Sequence, residues 1–182
     1  SSSSKHEREA WLRLTAQIKL EYSDSSSTRR DDMFALNDKE YDAFFLALLK
    51  LTKVVDNTTI DVAALTIEYY AFRYLDIYNS SMEKMADMTI NILNKLSHNA
   101  SLQTIVYIKL LDMIFDKDDR KYINDSQNDK NIAQQTITKW AIKNIDYKNI
   151  KWVHRISPHL HKDFNKQVVY KELEQDVINK TK

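Results

Sequence analysis

None of the 182 residues is glycine. Ordinary usage would supply about thirteen, so the chain lacks the residue that folds use wherever backbone takes positive φ or approaches a ligand closely. A phosphate-cradling P-loop, a dinucleotide-binding glycine fingerprint, a nucleophile elbow and a glycine-bearing calcium loop are therefore all excluded. Tight β-hairpins are disfavoured too, because their turns need residues that accept positive φ. The remaining class is all-α, and the single proline leaves long helices unbroken.

The other bounds agree. Hydrophobic residues make up 43% and charged residues 29% of the chain, the balance of a folded globular protein. The absence of cysteine removes disulfides, thiolate nucleophiles and cysteine-based zinc sites. No apolar stretch reaches the roughly 18–20 residues needed to span a bilayer, since charges such as Lys50 and Asp112 interrupt the longest runs. Ser1–Ser4 offers neither a methionine nor the apolar core of a signal peptide and reads as a cut from a larger chain. The net charge of +1 is unevenly spread. Residues 139–182 hold ten Lys and Arg against five Asp and Glu, leaving 17 against 21 for residues 1–138.

Apolar spacing predicts about eight helices. The first covers Lys5–Tyr22 around Trp11, Leu14 and Ile18. A polar run, Ser23–Asp32, follows as a linker. Residues 1–32 are thus an N-terminal helix with a flexible Ser-rich linker, and residues 33–182 a single all-helical domain. Asn37 and Glu40 form a capping box, with Leu36 as the preceding staple. Thr58 and Asp61 start a third helix that runs through Tyr70 and Tyr74 to Ile77. Ser80 and Glu83 suggest a second capping box, and Met82, Met85, Ala86, Ile92, Leu93 and Leu96 form the fourth helix's stripe. Ser101 caps a fifth, apolar on nearly every side and so expected at the centre of the core. After a hydrophilic Asp116–Lys130 loop come helices over Ile132–Ile145 and Tyr147–Ile156, then a last one opened by Ser157-Pro158. Short connections make neighbours antiparallel. The preferred arrangement is a curved stack of helix pairs, a right-handed superhelix in the manner of HEAT or VHS domains, and the alternative is a globular bundle.

Few residues suggest chemistry. His159 and His161, with His154 and Asp163 nearby, invite a metal, but helical positions two apart diverge, and a basic helix start is the expectation. Asp116, Asp118 and Asp119 begin like a calcium loop, then fail it at Arg120, Lys121 and Gln127. Asn-x-Ser/Thr sequons at Asn57, Asn79, Asn99, Asn124 and Asn179 are read as helix punctuation rather than glycosylation sites. No catalytic constellation, cofactor site or metal site is predicted, and the chain is not expected to be an enzyme.

Two surfaces remain. One helix is rich in aromatics, where Tyr70 and Tyr74 face inward and Tyr69, Phe72 and Arg73 point elsewhere, with the composition of interface anchors. The C-terminal third interleaves Lys143, Lys148, Lys151 and Arg155 with Tyr147 and two tryptophans, a pattern that suits phosphate tracks and base stacking. The expected function is a non-catalytic scaffold domain of an intracellular assembly, nuclear or cytoplasmic and not in a membrane. It would dock a partner helix or acidic peptide. The alternative is a nucleic-acid-binding module that uses the basic third.

Overall fold

The computed structural model describes residues 2–23, 35–115 and 123–145. They form six α-helices and one 3-10 turn, with no strand among them. These are α1 (Ser2–Ser23), α2 (Asp38–Lys50), the 3-10 turn (Leu51–Val54), α3 (Ile60–Tyr74), α4 (Met82–Asn94), α5 (Ala100–Ile114) and α6 (Gln127–Asn144). The chain divides into two compact units, Ser1–Tyr74 and Leu75–Lys182.

In the first unit α2 starts as its sequence dictates. The Asn37 side chain accepts the Glu40 amide at 2.9 Å, and the Glu40 carboxylate accepts the Asn37 amide at 3.3 Å. Two N–H groups at the helix start, where no intrahelical partner exists, are thereby satisfied. Tyr41, Phe45, Leu48 and Leu49 form the buried face of α2, and Ala63, Ala64, Ile67, Tyr70 and Ala71 that of α3. The two helices pack on each other, while α1 packs on the 3-10 turn and on α3. Trp11 is the anchor of α1, only 2% exposed. Its indole N–H has no hydrogen-bond acceptor. A buried donor left unmade costs about 1–3 kcal/mol, which offsets part of what burying the ring contributes.

In the second unit α4 is the common support, packing against both α5 and α6. All six residues of its predicted stripe are buried. α5, expected at the centre of the core, has nine buried residues, Leu102 to Ile114, but it is α4 that packs on both neighbours. Two side chains gather at the last turn of α4. Gln103 Nε2 donates to the Leu93 carbonyl at 2.9 Å, and Trp140 Nε1 donates to Asn94 Oδ1 at 2.9 Å. The Leu93 carbonyl also accepts the Leu96 amide at 3.0 Å, so Gln103 adds a second, long-range donor that ties α5 to the end of α4.

Several boundaries differ from the sequence reading. α3 begins at Ile60, not at Thr58, because the Asp56 carboxylate gathers Thr58 and Thr59 into a preceding turn. It ends at Tyr74 rather than reaching Ile77. The chain then turns at Asp76, whose φ of 47° is the only positive value among the described residues. Asp is one of the few residues other than glycine that enters this region with tolerable strain. Its carbonyl accepts the Asn79 and Ser80 amides, and its carboxylate accepts Asn79 Nδ2 at 2.9 Å. Ser81, not Ser80, caps α4, its hydroxyl oxygen accepting the Lys84 amide at 3.1 Å. Asn99, not Ser101, caps α5 through its side-chain oxygen. α6 starts at Gln127, five residues earlier than expected, with Ser126 as its cap. The expected Ser23–Asp32 linker, save Ser23, and the two helices beyond Ile145 lie outside the described residues.

Candidate functional site

The aromatic helix α3 is the richest place in the first unit. Its inward side is fixed from α2. The buried Tyr41 hydroxyl donates to the Tyr70 carbonyl at 2.6 Å. Burial, aided by the neighbouring Tyr70 phenol, pushes Tyr41 well above the ordinary tyrosine value of 10.0, against an opposing pull from Arg73. This phenol is a fixed donor and not a titrating group at neutral pH. Phe44 meets Tyr70 edge-on at 5.3 Å between ring centres, and Phe45 stacks on Tyr74 at 4.6 Å. Aromatic rings favour these edge and offset arrangements.

Arg73 is drawn into this cluster. Its guanidinium carbon lies 4.4 Å from the centre of the Tyr41 ring, and Nη2 donates to the Leu36 carbonyl ahead of α2. The side chain is only 12% exposed, and Asp38, fully exposed, approaches it at 4.0 Å. The cation–π contact and the backbone acceptor hold Arg73, because an exposed carboxylate at that distance contributes little. The guanidinium therefore ties the start of α2 to the end of α3. Tyr69 and Phe72 are half-buried, with Tyr69 edge-on to Tyr70 at 5.1 Å.

The structure thus brings Tyr69, Phe72 and Arg73 onto one helix but gives them different settings. The sequence reading missed Tyr41 as the partner of Arg73. One signal was present: Arg73 lies three residues after the inward Tyr70, which puts the two on adjacent positions of the helix surface. Lys143 is exposed near the end of α6, one turn after the exposed Lys139. Tyr147, Lys148, Lys151 and Arg155 lie outside the described residues, as do His154, His159, His161, Asp163 and the Asp116–Lys121 run.

Other surfaces offer little chemistry. Among the described residues no group of three or more His, Cys, Asp and Glu side chains is placed to hold a metal ion. None of the described helices is long and apolar enough to cross a membrane. Among the described residues the exposed large apolar ones are Leu12 at 51% and Tyr78 at 57%, and they belong to different units. Comparison with protein-family models, curated proteins and solved structures finds no match.

Proposed function

We propose that the chain is a non-catalytic, all-α interaction module of a larger intracellular assembly, nuclear or cytoplasmic, that docks a partner helix or acidic peptide on a helical surface. About eight helices in a curved stack would supply the scaffold. The observation that supports this reading is the setting of Tyr69 and Phe72. Both are half-buried on a helix whose inner side is pinned by the Tyr41–Tyr70 hydrogen bond and by Arg73. Aromatic side chains held on a rigid element lose little further entropy on binding, which favours them as anchors.

The test is affinity capture from extract with the native chain and with a Tyr69→Ala/Phe72→Ala variant, both checked for helicity. A protein recovered by the native chain and lost at least tenfold by the variant supports the reading. Recovery of the same proteins by both removes it.

The second reading, nucleic-acid binding, draws on the exposed Lys139 and Lys143 and on the sequence of Tyr147, Lys148, Lys151 and Arg155. It expects oligonucleotide affinity that falls steeply with salt as counterions are released. Absence of binding to labelled single- and double-stranded oligonucleotides at low ionic strength eliminates it.

A further inference from the structure

The second unit keeps its carboxylates away from one end. Residues 88–111 and 130–145 contain no Asp or Glu, in a chain that has 26 of them among 182 residues. The fold brings these two stretches together. Trp140 Nε1 donates to Asn94 Oδ1 at 2.9 Å, which places the second half of α6 beside the last turn of α4. Gln103 Nε2 ties the start of α5 to the same place. Lys95, Lys139 and Lys143 are exposed there, as are Ser97, His98 and Gln135. The helical carboxylates of the unit lie elsewhere: Glu83 and Asp87 in the first half of α4, Asp112 in the last turn of α5 and Asp129 in the first turn of α6. Cations near the end of a helix complement its dipole. That accounts for Lys95 and Lys143, but not for the missing carboxylates across both stretches.

Lysines set among hydroxyl and amide donors, with no carboxylate to repel an anion, fit phosphate oxygens. Among the described residues this end exposes no large apolar side chain, so it lacks the anchor that a protein partner or a bilayer would take. Trp140 is only 7% exposed, stacked on Tyr107 and bonded to Asn94, so it offers no face on which bases could stack. The chain leaves α6 at this end and continues into residues 146–155, which hold Lys148, Lys151 and Arg155 against Asp146 alone. We propose that the end of the second unit bearing Lys95, Lys139 and Lys143 grips the phosphate backbone of a double-stranded nucleic acid without reading its sequence. The proposal rests on the nucleic-acid reading above and gives that reading a surface.

The experiment uses the full chain and a labelled random-sequence DNA duplex, with binding followed by anisotropy across a salt series. Lys95→Gln/Lys139→Gln/Lys143→Gln should weaken binding at least tenfold at about 50 mM salt. It should also reduce the slope of log affinity against log salt by roughly two to three, about one for each lost phosphate contact. Lys39→Gln/Lys50→Gln/Lys53→Gln, which removes equal charge from the first unit, should change affinity less than twofold. An equal loss in both variants overturns the proposal, and so does tighter binding to a single strand than to the duplex. Unchanged affinity in the first variant, with loss on Lys148→Gln/Lys151→Gln/Arg155→Gln, overturns this surface and leaves the nucleic-acid reading standing. No binding by the native chain removes both. A second measurement needs no variant: the duplex should shield Lys95, Lys139 and Lys143 from an amine-reactive reagent and leave Lys39, Lys50 and Lys53 reactive. Equal labelling with and without duplex overturns the proposal.

Discussion

The two compact units solve the same packing problem with different residues. The first, Ser1–Tyr74, is built around polar-tipped or charged groups turned inward: Tyr41 bonded to the Tyr70 carbonyl, Arg73 over the Tyr41 ring, and Trp11 buried with its N–H unmet. The second has the larger aliphatic set, with Leu75, Ile77, Met85, Ile92, Leu93, Leu96, Leu110 and Leu111 all essentially inaccessible. It too buries polar groups: Gln103 bonded to the Leu93 carbonyl, Trp140 bonded to Asn94, and the Thr89 and Thr138 hydroxyls without a hydrogen-bond partner. Aliphatic cores draw their stability from volume and tolerate exchange of similar shapes. Cores that include hydroxyls and guanidinium groups are held by direction, since each group must find its partner or cost free energy. Each unit therefore combines aliphatic filling with groups held by direction, the first through Tyr41 and Arg73 and the second through Gln103 and Trp140.

That contrast can be broken in order of effect. Leu93→Ala in α4 should cost about 2–5 kcal/mol, because the cavity left behind adds to the lost burial. Denaturant unfolding followed by circular dichroism measures it. A cost below 1 kcal/mol would mean that the second unit is not filled as described. Tyr41→Phe in the first unit keeps the ring and deletes one donor, for an expected loss of about 1 kcal/mol at neutral pH.

The same variant sharpens the comparison at alkaline pH. The folded phenol is held above its ordinary 10.0, so the folded state keeps a proton that the unfolded state releases. The Tyr41 contribution is complete below pH 10 and declines as pH rises beyond it. Tyr41→Phe should accordingly lose less stability than the native chain between neutral pH and pH 11. Parallel pH profiles for the two chains would refute a buried phenol. The smallest effect is expected at Asp56. Its carboxyl sits below its ordinary 3.8 because Thr58 donates to it from hydroxyl and amide, with Thr59 adding weaker bonds. A depressed folded value contributes stability above pH 4 that is lost as pH falls through the folded value. Asp56→Asn should lower stability slightly at neutral pH, change it little at low pH and so flatten the acid limb, as denaturant unfolding at several pH values measures.

Apolar periodicity made the helices legible because burial repeats with the helix. The stripe from Met82 to Leu96 and the all-round apolar α5 could be read without coordinates. Caps were less legible. Clusters such as Asn79-Ser80-Ser81 and Asn99-Ala100-Ser101 offer neighbouring residues with equivalent capping chemistry, and tertiary placement chooses among them. The first turn of α6 was invisible for another reason: Gln127–Asn131 is wholly polar, so periodicity has nothing to register there. At the candidate site the aromatic richness of α3 was plain. The inward turn of Arg73 depended on an acceptor, the Leu36 carbonyl, 37 residues away in sequence. Local pattern does not encode that distance.

The two described tryptophans also give the molecule a colour code. Trp11 is dry and its indole N–H has no acceptor, whereas Trp140 donates to Asn94 and stacks on Tyr107 with ring centres 5.5 Å apart. An indole without a hydrogen-bonded environment emits at shorter wavelength than one that is bonded or wet, and an adjacent phenol ring alters emission again. Of these two, Trp11 in the first unit is expected to emit at the shorter wavelength. Exposure of Trp11 on unfolding of the first unit would move its emission to the red without any label attached, so the loss of that unit can be followed in the unmodified protein.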